Sequence, residues 1–244
     1  MRQRVRVAPA MRWALLVATI ALLLVVGLPG PSTASAKESA NEAEAFKGCR
    51  LQKPQSFLKR TTFVKRRLLQ PRVHQRALRY RVEHYGNIPG LELESLNSQT
   101  AFSHAKGVRF FGLPLQVHEK IATALSCVEK RIRKTCRSKS KSYAPRAVGG
   151  FRQGNSYRGA EVSNHLFGIA VDIDPDRNPC CGCVDPWPTH KLCQNRTGSI
   201  YERTSLPRCW VQAFERYGFW WLGRDELEDT MHFEFLGDPD RVTP

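Results

Sequence analysis

The segment SNHLFGIAVDID, residues 163–174, alternates apolar residues with aspartates, and this alternation commits it to a strand with one face in a core. Ile169, Val171 and Ile173 fall on one face, and Ala170, Asp172 and Asp174 fall on the other. A lone strand carboxylate ordinarily faces water. A second stretch, DTMHFEF, residues 229–235, repeats the pattern: Met231, Phe233 and Phe235 alternate with His232 and Glu234. Two strands therefore each offer a metal-type ligand on a polar face.

His165, Asp172 and His232 make a three-ligand zinc set, leaving the fourth position for water, as a catalytic zinc requires. Asp229, on the turn three residues before His232, is placed to take a proton from that water. Glu228 is its neighbour, and a one-residue shift of the turn would exchange their roles. Upstream, Arg152 in GGFRQGNSYRG offers a fixed positive charge to a developing oxyanion. Asp174 and Glu234 share the polar faces, either as acceptors for ligand imidazoles or as solvated side chains. His74, His84, His104, His118 and His190 have no partner at ligand spacing and are ordinary surface or core residues. Trp220 and Trp221 read as packing rather than as a substrate wall.

These residues resemble the LAS metallopeptidases, the lysostaphin, D-alanyl-D-alanine carboxypeptidase and sonic hedgehog amino-domain group. SNHLFGIAVDID matches the pattern S-x-H-x-x-G-x-A-x-D, and DTMHFEF matches the D/E-x-x-H ending, over roughly residues 146–239. The nearest likeness is to the D-alanyl-D-alanine carboxypeptidase and L-alanyl-D-glutamate endopeptidase branch. The resemblance implies a small α+β domain with an antiparallel sheet, one zinc ion, and cleavage of the peptide part of bacterial cell wall. It implies His165, Asp172 and His232 as ligands, Asp229 as general base, and Ser163 in support of the metal shell. It also implies Arg152 at the scissile carbonyl, with Arg158 as the weaker candidate. A catalytically silent, cell-wall-binding or structural zinc domain of the same fold is the alternative, and a carboxylate at 229 argues for an enzyme. The cysteine-rich insertion and the basic region before Arg146 depart from the pattern and leave open which stem-peptide bond is cut.

The first 36 residues carry arginines, an apolar run from Trp13 to Leu28 and Ala34-Ser35-Ala36, which describes a secretory signal peptide with cleavage expected after Ala36. An uncleaved membrane anchor is the rival. The run, however, is shorter than the ~20 apolar residues of a comfortable span, and Pro29 and Pro31 follow it. Periplasmic or extracellular export is expected. Removing the leader lowers the formal charge from +16 to +12, a surplus suited to an anionic cell envelope. Nucleic-acid binding conflicts with the leader and lacks any recognised module. Eight cysteines in an exported chain read first as up to four disulfides, although CCGC with Cys193 also has the look of a thiolate zinc site.

The expected organisation is a signal peptide at 1–36, a tether at 37–48, a basic helical region at 49–145, and a metallopeptidase domain at 146–244 with a Cys-rich insertion at 175–208. Val117, Ile121, Ala124, Leu125, Val128 and Ile132 recur at helical spacing. Trp210, Phe214 and Tyr217 mark a shorter helix that stops at Gly218. The cations of residues 50–86 read as a solvated helix face. The fold class is α+β: a small antiparallel sheet with flanking helices and a zinc site, preceded by the basic helical region.

Overall fold

The strand pattern of the two motifs is realised as neighbouring strands. The computed structural model describes residues 46–136, 143–155, 161–183, 187–194 and 197–243. The leader, most of the tether, residues 137–142 and Arg158 lie outside them. Among the described residues no helix is long and apolar enough to cross a membrane.

In chain order the elements are helix α1 (Arg60–Phe63), strands β1 (Val64–Lys65) and β2 (Leu68–Leu69), and helix α2 (Pro71–Tyr85). Then come β3 (Ala105–Phe110), β4 (Leu113–His118), α3 (Glu119–Thr135), β5 (Val148–Gly149) and β6 (Ala170–Ile173). Helix α4 (Arg208–Arg216), β7 (Phe219–Trp221) and β8 (His232–Phe235) complete the fold. Strands β5, β6, β8 and β7 form one antiparallel sheet in that order, which is the expected α+β arrangement.

Both long helices follow from local chemistry. Pro71 opens α2 with a preset φ and no N–H to satisfy, and Gly86 ends it at φ +100°. His118 caps α3, its Nδ1 accepting from the Lys120 N–H at 3.1 Å. Glu119 in the first turn and Arg133 and Lys134 in the last suit the helix dipole. The stripe Ile121, Ala124, Leu125, Val128 and Ile132 is buried as expected, but Val117 belongs to β4, and α3 starts two residues later. Helix α4 buries Trp210, Val211, Ala213 and Phe214, and Gly218 follows it at φ +88°.

Phe214 joins α4 to the sheet by stacking on Phe233 at 4.0 Å between ring centroids. Val171, Ile173, Phe233 and Phe235 of β6 and β8 share this core with Ile121, Leu125 and Val128 of α3. The apolar sides of the two motif strands thus face the helices, which turns His232, Asp172 and Glu234 to the opposite side. Every residue of both strands is buried, the polar ones included.

The basic region holds more than helix. It contains two hairpins, β1–β2 and β3–β4, and it buries Arg60 and Arg81 instead of solvating them. Both turns use two residues of positive φ, Arg66 and Arg67 in the first and Phe111 and Gly112 in the second, without the Asn-Gly dipeptide that flags such turns. Among its described residues the helices of the Cys-rich insertion are 3-10 turns, and two disulfides within it, Cys180–Cys183 and Cys181–Cys193, supply cross-links. Cys49–Cys127 and Cys136–Cys209 tie the N-terminal half to α3 and α3 to α4. All eight cysteines are therefore paired, which answers the thiolate zinc alternative.

The Cys49–Cys127 bridge spans 78 residues of sequence. Replacing both cysteines by alanine should lower unfolding free energy by about 4 kcal/mol through released chain entropy, read as a drop in urea midpoint with a larger m-value from the less compact unfolded chain. A midpoint equal to the parent's would show that this bridge carries no such load.

Candidate metal centre

Strand register assembles the site. On β6 and β8, Asp172 and His232 are direct cross-strand partners, as are Ala170 and Glu234. His165 comes from the 3-10 turn Asn164–Phe167, which Ser163 caps by accepting the His165 N–H at 3.3 Å. The turn closes at Gly168 (φ +66°), where a Cβ would stand 2.1 Å from the Phe151 ring, so only glycine lets the chain drop from the turn into β6.

The three donor atoms converge. His165 Nε2 is 3.1 Å from His232 Nδ1 and 3.1 Å from Asp172 Oδ2, and His232 Nδ1 is 2.8 Å from Asp172 Oδ1. A tetrahedral zinc with bonds of ~2.0–2.1 Å spaces its ligands by about 3.3 Å, close to these separations. The second nitrogen of each ring is engaged. His165 Nδ1–H donates to the Gly150 carbonyl at 2.5 Å, and His232 Nε2–H donates to Glu234 Oε1 at 3.1 Å. With both rings neutral, these bonds would place the lone pairs of His165 Nε2 and His232 Nδ1 towards a common point, the outer support usual for metal-bound histidines. Gly150 was not legible as part of the site. A Cβ there would meet the Gln116 carbonyl at 2.0 Å, which is why the second glycine of RAVGGFR is required.

Burial and mutual hydrogen bonding set the protonation of the three side chains. Burial works against charging His232, yet its hydrogen bonds to Asp172 and Glu234 lift its pKa to about 10. Burial likewise opposes Asp172, but His165 and His232 hold its carboxyl well below the usual range. For His165 burial dominates and lowers the pKa despite Asp172, so this ring favours the neutral form that ligates metal.

Asp229 is half-buried, and its Oδ1 is shielded from solvent without a hydrogen-bond partner among the described residues. Burial pushes its pKa up to about 7, with Asp172 adding to the rise and His232 opposing it. A shielded carboxylate oxygen without a partner, close enough to His232 and Asp172 for their charges to act on it, fits a site completed by an ion. Glu228, by contrast, is paired with Arg203. The Asp229 carboxylate also lies within 4.8 Å of the Cys180 and Cys183 sulfurs, which their disulfide removes from ligation.

Arg152 reaches the same donors. Its Nη2 donates to His165 Nε2 at 2.6 Å and to Asp172 Oδ2. One lone pair on His165 Nε2 cannot serve both a guanidinium and a metal ion, so bound metal requires Arg152 to withdraw. Its side chain is 40% exposed and has room to do so. Asp174 is neither an imidazole acceptor nor solvated. It is fully buried and takes hydrogen bonds from the Tyr143 hydroxyl (2.5 Å) and the Arg146 and Ala147 N–H groups (2.7 and 2.6 Å). Trp221 packs in the core with its Nε1–H on the Thr230 carbonyl at 2.9 Å, and Trp220 lies under Lys59.

The donor atoms of His165, Asp172 and His232 all lie within 4.8 Å of one another, a grouping that could hold a metal ion. Residues 157–235 match the family described as D-alanyl-D-alanine carboxypeptidase, a span that includes His165, Asp172, Asp229 and His232. The match agrees with the resemblance that the two motifs of this region carry. Neither the curated proteins nor the solved structures gave a match to the chain.

The raised Asp229 pKa has a consequence for the chelated protein. Between about pH 4 and pH 7 the unfolded chain has released a proton that folded Asp229 still holds, so this group makes stability fall as pH rises through that window. Asp229→Asn should remove this contribution. The variant gains on the parent between pH 4 and 7.5 by on the order of 4 kcal/mol in denaturant titrations with chelator present. Parallel pH profiles for the two proteins would contradict the buried, uncompensated carboxyl.

Proposed function

We propose that this protein is a zinc-dependent peptidase that hydrolyses an amide bond in peptidoglycan stem peptides, as a D-alanyl-D-alanine carboxypeptidase or an L-alanyl-D-glutamate endopeptidase. The carrying observation is the cross-strand pairing of Asp172 with His232 beside His165, with Asp229 unpaired at its edge. His165, Asp172 and His232 would hold the ion. Bound there, zinc supplies Lewis acidity and brings the pKa of a coordinated water towards ~7.

The chain's own groups account for the remaining chemistry. Asp229, with a pKa of about 7, is matched to accepting a proton near neutrality and returning it to the leaving amine. Glu234, through the His232 Nε2–H, fixes the ring that ligates through Nδ1. Arg152, once off the ligands, offers its guanidinium to the developing oxyanion. A silent binding domain would have no use for an unpaired carboxylate held out of water at this position, which favours the enzyme.

Export to the cell envelope fits this substrate, and the leader supports it. An anionic envelope is the partner best suited to Lys65, Arg66, Arg67, Arg72, Arg76 and Arg79, all exposed, in a stretch from Cys49 to Val82 without an acidic residue.

Mass spectrometry of muropeptides incubated with the protein, with and without chelator, tests the reading. Loss of terminal D-alanine identifies the carboxypeptidase, and separation of L-alanine from D-glutamate identifies the endopeptidase; chelator should abolish either. Asp229→Ala should retain one zinc per chain and lose turnover by roughly 10²–10⁴-fold. Turnover at the parent rate in that variant would refute the base assignment.

A further inference from the structure

The family match begins at residue 157, yet a side chain far upstream links the two segments that carry the site. Arg60 of α1 is buried, and its guanidinium forks between two carboxylates. Nε donates to Glu161 Oε1 at 2.7 Å and Nη2 to Glu161 Oε2 at 3.3 Å, while Nη1 donates to Asp225 Oδ1 at 2.5 Å.

Each partner stands at the root of a functional segment. Glu161 lies four residues before His165, and its carbonyl is held by Asn155 Nδ2 at 2.7 Å while Asn155 Oδ1 accepts the Ser163 N–H at 3.0 Å. Asp225 opens the turn that leads to Asp229. Its Oδ1 also accepts the Leu227 N–H at 3.0 Å, and its carbonyl accepts the Glu228 N–H at 2.9 Å. A second contact from the same region reinforces this one. The Arg66 and Arg67 N–H groups at the tip of the β1–β2 hairpin donate to the two carboxylate oxygens of Glu226 at 3.1 and 2.9 Å. The positive φ of both arginines aims their two N–H groups at one carboxylate.

The planar guanidinium, with its fixed fork of donors, can set the angle between two carboxylates, which a lysine ammonium cannot. We propose that Arg60 is a positioning residue of the peptidase site: it fixes the His165 segment relative to the Asp229 turn, so that residues 60–67 complete a site the matched family region does not build alone. The kinetic part of this proposal rests on the peptidase reading, whereas the structural part does not.

The test is Arg60→Lys in the full chain, with hydrogen exchange and muropeptide turnover measured together. The expected result is faster exchange confined to the amides of residues 161–165 and 225–232, with β4 and α3 unchanged. Zinc content and KM stay at the parent's values, and kcat falls about 100-fold, the scale of an ångström-level misplacement. Unchanged exchange in those segments, exchange raised evenly across the protein, or a kcat loss matching the unfolded fraction would each overturn the proposal. Where Arg60→Lys yields no folded protein, Glu161→Gln is measured in the same way and judged by the same outcomes. Should the parent cleave no muropeptide, the peptidase reading fails alone, and the exchange pattern still decides whether Arg60 joins the two segments.

Discussion

Asp172 meets His232 because β6 and β8 pair in a single register, and each further feature of the site depends on that pairing. A strand has period two, so a slip of one residue would send Asp172, His232 and Glu234 into the aromatic core and bring Val171 and Phe233 out. The stack of Phe214 on Phe233 and the burial of Val171 and Ile173 against α3 and α4 hold the register. Removing a buried phenylalanine of this kind typically costs ~3–5 kcal/mol, far more than a surface contact supplies. The apolar face therefore specifies the polar one, and packing energy becomes ligand geometry.

The polar face is unusual in being buried. Carboxylates and imidazoles shielded from water need mutual partners, and here they nearly satisfy one another, His232 between Asp172 and Glu234 and His165 on the Gly150 carbonyl. Asp229 Oδ1 and Glu234 Oε2 are the exceptions among the described residues, and burial pushes the Asp229 pKa up to about 7. The surrounding frame is fastened by four disulfides, two of them within an insertion whose described helices are 3-10 turns. Cross-linking gives such an insertion its shape, and its Cys180 backbone in turn bridges to Asp229.

Legibility in the sequence followed how local each cause was. Strands β6 and β8, the stripe of α3 and the stop of α4 at Gly218 could be read because periodicity and caps are encoded in neighbouring residues. The convergence of His165, Asp172 and His232 was legible for the same reason: each sits in an alternating or turn-forming motif. The hairpins were not, because Arg66 and Arg67 adopt positive φ with the support of Glu226, some 160 residues away, and no turn dipeptide announces it. Nor was the burial of Arg60, whose partners Glu161 and Asp225 come from distant segments. Asp174 looked like a companion of Asp172 by spacing, yet a left-handed backbone at φ +42° turns it to Tyr143 and the start of β5. Long-range charge pairing leaves no periodic trace, and it accounts for most of what the sequence concealed.

The central claim is that one ion is gripped by His165, Asp172 and His232, and X-ray absorption at the zinc edge of the zinc-loaded protein tests it most directly. The account predicts a first shell of nitrogen and oxygen at ~2.0–2.1 Å, two imidazoles among them, that is lost on replacing His232 by alanine. A sulfur shell at ~2.3 Å, or a nitrogen and oxygen shell that persists in the His232 variant, would contradict it.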